Sequence, residues 1–147
     1  MSTASIVSAS VIGASGYVGA ELLRLINEHP LIELRSVFAH SQAGLRLGEV
    51  FSSWAHSELI LQRFDPDQVA SESEVAFLGL PHGAAQEATF ALRSRGVMVI
   101  DLSSDFRFSS PRHYQEIYGT IHEYPDLLEE AVYGLPELDR SHLKGAQ

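Results

Sequence analysis

The chain has 147 residues, 45% of them hydrophobic, with 10 Lys and Arg against 19 Asp and Glu, for a formal charge of −9. Such a length and apolar content fit one folded domain with its own core. So acidic a surface repels a polyphosphate backbone, which argues against nucleic acid as a partner.

No apolar run nears the roughly 20 residues that cross a bilayer, and Met1–Ser10 lacks the basic start and long apolar centre of a secretory leader. The expected setting is cytoplasmic, with no membrane partner. Without a single Cys, these residues offer no disulfide, no thiolate zinc site and no thiol nucleophile. His29, His40, His56, His82, His113, His122 and His142 include no pair at i, i+3 or i, i+4, so no metal site is expected. Lys144 is followed by Gly145, which rules out a P-loop, and Arg140 stands where a Tyr-x-x-x-Lys pair needs its Tyr.

In chain order, a β-branched strand is predicted over Ile6–Ile12 and a helix over Gly16–Glu28, with Val18, Leu22, Leu25 and Ile26 on one face and Pro30 as its stop. A strand over Ile32–Ala39 leads into a Ser, Gly and Gln loop, then a short strand at Glu58–Gln62. No element is assigned between there and Val75. Val75–Leu80 reads as a strand buried on both faces and closed by Pro81. A helix Ala84–Arg95 follows, with Arg93 and Arg95 at its negative end and Gly96 as its stop. Val97–Ile100 reads as another buried strand. Helices at Pro111–Tyr118 and Asp126–Glu130 and a strand at Ala131–Leu135 complete the series. Strands alternating with helices predict an α/β fold: a Rossmann-like, doubly wound, mostly parallel sheet with helices on both faces.

Between the first strand and helix lies Gly13-Ala14-Ser15-Gly16-Tyr17-Val18-Gly19. In that context Gly13 permits the tight turn, Gly16 admits a pyrophosphate, and Gly19 lets the helix pack closely. Free amides and the positive dipole end then face the anion. The competing reading is a glycine turn kept for packing alone. An NAD-binding domain usually ends its second strand with an acid for the ribose 2′-hydroxyl. Here that region reads Val37-Phe38-Ala39-His40-Ser41-Gln42. A 2′-phosphate would meet His40, Ser41, Gln42 and Arg46 instead, so the expected cofactor is NADP, with a solvated loop as the alternative for His40.

Together with the glycine turn, Leu80-Pro81-His82-Gly83, Asp101-Leu102-Ser103-Ser104-Asp105-Phe106-Arg107 and Val132-Tyr133-Gly134-Leu135-Pro136-Glu137-Leu138 resemble the N-acetyl-gamma-glutamyl-phosphate reductases of arginine biosynthesis. The aminoadipate-phosphate reductases of lysine biosynthesis are similar. The resemblance implies NADPH-dependent reduction of a small acyl phosphate to a semialdehyde through a cysteine thioester, by an enzyme expected to be a homo-oligomer when full length. It also implies that the cysteine, in an Asn-Pro-Gly-Cys-like stretch, and the histidine base lie beyond Gln147. On that reading residues 1–147 are the NADP-binding domain, the catalytic and substrate domain is absent, and no catalytic residue lies within the chain.

The expected cofactor contacts are Gly13, Ser15, Gly16, Tyr17, Val18, Gly19, His40, Ser41, Pro81, His82 and Ser103, with Arg107 as a substrate-side anion contact. Two alternatives stand beside them: His82 as a cap on the following helix, and an Asp105–Arg107 ion pair that merely fixes its loop. Tyr114, Tyr118 and Tyr124 read as packing. A stand-alone NAD(P)-sensing module is the rival function.

Overall fold

The computed structural model describes residues 5–138 and 140–146; residues 1–4, which begin the segment read for a leader, lie outside it, as do Asp139 and Gln147. Five parallel strands, β1 (Val7–Ile12), β2 (Ile32–Phe38), β3 (Leu61–Gln62), β4 (Val75–Leu78) and β5 (Met98–Asp101), pair in the order β3-β2-β1-β4-β5. The helices are α1 (Tyr17–Asn27), α2 (Leu47–Val50), α3 (Pro66–Glu72), α4 (Ala85–Arg93), α5 (Pro111–Tyr118) and α6 (Pro125–Glu130).

Helices cover both faces, as the alternation predicts. On one face Leu22, Leu23 and Ile26 of α1 pack with Val11, Val37, Leu47 and Leu61. On the other, Val69 of α3 and Ala85, Ala88 and Leu92 of α4 pack with Ile12, Phe38, Ala76 and Leu78. The buried stripe of α1 is therefore Gly19, Leu22, Leu23 and Ile26, at i, i+3, i+4 and i+7, while Val18 and Leu25 of the predicted face remain exposed.

The sequence reading passes over the four-residue α2 and also the longer helix α3. Helix α3 starts on the Asp65 carboxylate, which accepts from the Asp67 and Gln68 amides, with Pro66 at its first position. Arg95 closes α4 by donating to the Ala91 carbonyl and ties it to α3 through Asp67, at 2.8 and 2.6 Å. Helix α5 is capped by Ser110 and stops at Gly119, whose φ is +72°.

Two strand expectations change. β5 is an edge strand, and its Met98 and Ile100 remain 40% and 43% exposed rather than buried. Both pair in register with Val75 and Phe77, which lie on the α1 face, and β5 extends past the cover α1 provides. Residues 131–135, expected as a strand, join no ladder. Their apolar run matched a strand in composition, but a strand also needs a partner edge in register.

Candidate functional site

From β1 the chain winds outward to β2 and β3, then returns across β1 to β4. That reversal opens a crevice outside the carboxyl ends of β1 and β4, where ligands bind in open α/β sheets. The turn 13–19 forms one wall and the segment 79–85 leaves the adjacent strand.

Within the turn the three glycines do different work. Gly13 has φ +81°, its N–H and that of Ala14 both donate to the Phe38 carbonyl at 2.9 Å, and a Cβ there would lie 2.8 Å from the Gly79 carbonyl carbon. Gly19 is buried, and a Cβ would come within 2.6 Å of the Ala14 backbone. Both are demanded by the fold. Gly16 is not: its φ of −82° and ψ of 173° suit any residue, and an added Cβ would rest 3.5 Å from its nearest neighbour.

Helix α1 begins at Gly16 with no side-chain cap and no acid in its first turn, and Tyr17 and Val18 beside it are 99% and 45% exposed. An uncapped start of this kind offers amides and a positive dipole end to an anion. Ser15 lies half-buried in the turn. The cradle therefore fits a pyrophosphate, and neither backbone conformation nor packing calls for a glycine at position 16.

At the end of β2, His40 and Ser41 are exposed and Gln42 half-buried. Tertiary structure adds acids that the sequence window lacks: Arg46 pairs with Glu58 at 3.5 Å, and its N–H donates to Glu49. His40 and Ser41 remain as polar groups of this loop outside that pairing.

The loops after β4 and β5 are locked together by Asp105, which is fully buried. Its carboxylate accepts from the Gly83 and Ala85 amides at 2.8 and 3.1 Å, so it caps α4 from twenty residues away in sequence. The expected alternatives for His82 and Asp105 are thus both corrected: Asp105 rather than His82 is the cap, and the Asp105 carboxylate lies 2.8 Å from His82 Nδ1, which is hydrogen-bonded to Ser104, rather than pairing with Arg107. Arg107 instead donates to the Ser103 carbonyl at 3.2 Å and is exposed.

Tyr114, read from sequence as packing, is also part of this polar network. Its buried hydroxyl accepts from Gln86 at 2.9 Å and donates to Asp105 at 3.3 Å; burial and the neighbouring Asp105 charge push its pKa up. No local pattern marks Asp105, Gln86 or Tyr114 as partners, because they meet only when α4, α5 and the β5 loop pack.

Ser103 lies in the loop that follows β5. Its hydroxyl donates to Asp101 at 2.6 Å and accepts from the Asp105 amide at 3.0 Å. Burial raises the Asp101 carboxyl, with the Ser103 bonds opposing that shift. Ser103 and Arg107 line a cavity of about 900 Å³ along β5, with Phe106 and Tyr133; no glycine-turn residue and not His82 borders it. The structure therefore brings Gly13–Gly19 to the β1–β4 crevice, Pro81 and His82 to the strand end beside it, and Ser103 and Arg107 to a neighbouring cavity.

Residues 8–146 match the family described as the NAD-binding domain of semialdehyde dehydrogenase. The chain belongs to that family. The semialdehyde dehydrogenase domain is 40% identical over 141 residues to N-acetyl-gamma-glutamyl-phosphate reductase of Moorella thermoacetica, covering 95% of this chain and 41% of the relative. It is 43% identical over 139 residues to the enzyme of the same name from Dehalococcoides mccartyi, covering 95% and 40%. It thus spans about two fifths of the length of these relatives. Among solved structures, aspartate semialdehyde dehydrogenase with NADP from Candida albicans matches with TM-score 0.65 at 24% identity, over 73% of this chain and 32% of that one. A Rex-family repressor matches with TM-score 0.55 at 17% identity, over 68% and 46%. These two likenesses establish the shared fold.

Proposed function

We propose that this domain holds NADP for an N-acetyl-gamma-glutamyl-phosphate reductase, a cytoplasmic homo-oligomer that reduces the acyl phosphate to N-acetyl-glutamate 5-semialdehyde in arginine biosynthesis. The observation that carries the cofactor half is Gly16, a glycine that neither backbone conformation nor packing requires, set at an uncapped helix start in the crevice. The reaction half rests on the relatives at 40% and 43% identity.

In this reading the α1 amides beside Ser15, Gly16, Tyr17 and Val18 hold the pyrophosphate, and Gly13 and Gly19 keep the turn tight enough to present them. His40 and Ser41 donate to the 2′-phosphate, and Pro81 and His82 form the wall at the β4 end. Bound NADPH supplies the hydride that reduces the activated acyl group. Residues 1–147 contain no Cys, so the thiolate that accepts the acyl group belongs to a part of the enzyme outside them. Ser103 is assigned to the cofactor and Arg107 to the side of the site toward the substrate.

Titration of the purified chain with NADPH and with NADH, followed by nucleotide fluorescence or calorimetry, tests the reading. NADPH is expected to bind more tightly. Equal or reversed affinities would overturn the assignment of His40 and Ser41, and absence of binding by either nucleotide would overturn the site.

A further inference from the structure

His82 leaves β4 at its carboxyl end, and its ring is held from several sides. Nδ1 lies 2.8 Å from Asp105 Oδ1 and 2.7 Å from Ser104 Oγ, while Tyr118 packs against the ring with centroids 4.4 Å apart. The hydrogen bond at Nδ1 is to the Ser104 hydroxyl, which can accept or donate, and the Asp105 carboxylate charge beside it favours the form with the proton on Nδ1, because an Nδ1 lone pair would face that charge. Its other ring nitrogen has a different fate. The Tyr114 hydroxyl lies 3.5 Å from Nε2, a long contact, and has shorter ones to Gln86 and Asp105. The neutral ring then keeps a lone pair on Nε2, on a side chain that is 41% exposed.

We propose that Asp105 is a positioning residue for the cofactor site. By fixing His82 in the Nδ1–H tautomer, it leaves Nε2 as an acceptor for a hydrogen-bond donor on the bound dinucleotide. This rests on the reading of the β4 end as a wall of the dinucleotide site. The same carboxylate caps α4 through Gly83 and Ala85, so helix start and ring orientation are set by one buried group. Such a pairing resembles the way a second group fixes which nitrogen of a ligating or catalytic imidazole carries the proton.

Two measurements on the intact chain separate this role from simple loop support. In the first, two-bond proton–nitrogen correlation spectra at about pH 8, where an ordinary imidazole is neutral, report the tautomer without any cofactor, with the His82 signals assigned by their loss in His82→Gln. The expected result is a predominantly Nδ1–H ring in the native protein and a shift toward the Nε2–H form in Asp105→Asn. A native ring that is mixed or Nε2–H would overturn the proposal, even if Asp105→Asn does not fold. In the second, NADPH affinity is compared across native, Asp105→Asn, His82→Gln and the double variant. Each single change should weaken binding about three- to tenfold, the scale of one hydrogen bond. The Asp105→Asn effect should largely vanish in the His82→Gln background. An undiminished effect there would mean that Asp105 acts through the loop alone. Failure of the native chain to bind NADPH would instead sink the assignment of the dinucleotide site, with the tautomer still readable.

Discussion

Gly19 rests directly against the backbone of Gly13, so closely that a Cβ at position 19 would collide with the Gly13 carbonyl oxygen. Helix α1 can start where it does only while position 19 lacks a side chain; position 13 is held to glycine by its own φ of +81° and by Gly79. Gly19→Ala is therefore expected to lower stability by about 1 to 3 kcal/mol, the usual cost of forcing atoms into packed space, read as a lower urea midpoint. An unchanged midpoint would show that the turn can relax away from the helix.

Gly16→Val should behave in the opposite manner. With φ at −82° and 3.5 Å of clearance for its first carbon, the variant is expected to fold with a near-native midpoint. NADPH binding should nevertheless fall at least about tenfold, since the side chain takes space meant for the pyrophosphate. Native-like binding by this variant would refute the cradle.

Ser41→Asp tests the discrimination between the two nucleotides. A carboxylate at this exposed position would repel a 2′-phosphate while accepting from a ribose hydroxyl. NADPH affinity should drop about tenfold or more, with NADH affinity held or improved. If calorimetry shows both falling together, position 41 does not contact the adenosine end.

The purified 147-residue chain should form no NADPH from N-acetyl-glutamate semialdehyde, NADP and phosphate. It has no Cys, and losing a thiolate that divides the reaction into two steps removes several orders of magnitude in rate. Turnover near that of a complete reductase would show that another group serves as nucleophile.

Stability should depend on pH through His122, which is 2% exposed and has aromatic contacts with Phe106 and Tyr114. Burial lowers its pKa from the ordinary 6.5, with the Asp105 charge opposing, and its Nδ1 already accepts from the Tyr124 amide at 3.1 Å. Below that ordinary value the unfolded chain takes up a proton that the folded ring resists. The contribution of His122 to stability is therefore complete above about pH 6.5 and is lost as pH falls toward the lower folded value. Urea unfolding at a series of pH values should show a steeper acid-side decline for the native chain than for His122→Gln. Equal slopes would mean that the imidazole is free to protonate in place.

The sequence by itself determined the βαβ start, the glycine turn, the α/β class and the limits of α5, because each is written in contiguous residues. β-branched runs end at glycine, Ser110 and Pro111 open a helix, and Gly119 closes it. Helix α3 was equally legible in Asp65 and Pro66, although its apolar stripe reduces to one fully buried residue, Val69. Other features required the folded chain. Which glycines packing requires is decided by Gly13 lying against Gly79 and Gly19 against Gly13 and Ala14, which leaves Gly16 without a packing role. Asp105 became a cap and a partner of His82, rather than of nearby Arg107, only because parallel strands β4 and β5 bring their carboxyl ends side by side. Ser103 shares that edge, yet its hydroxyl turns back to Asp101. Residues 131–135 have the composition of a strand and lack the ladder, since backbone pairing depends on what lies alongside and not on the residues alone.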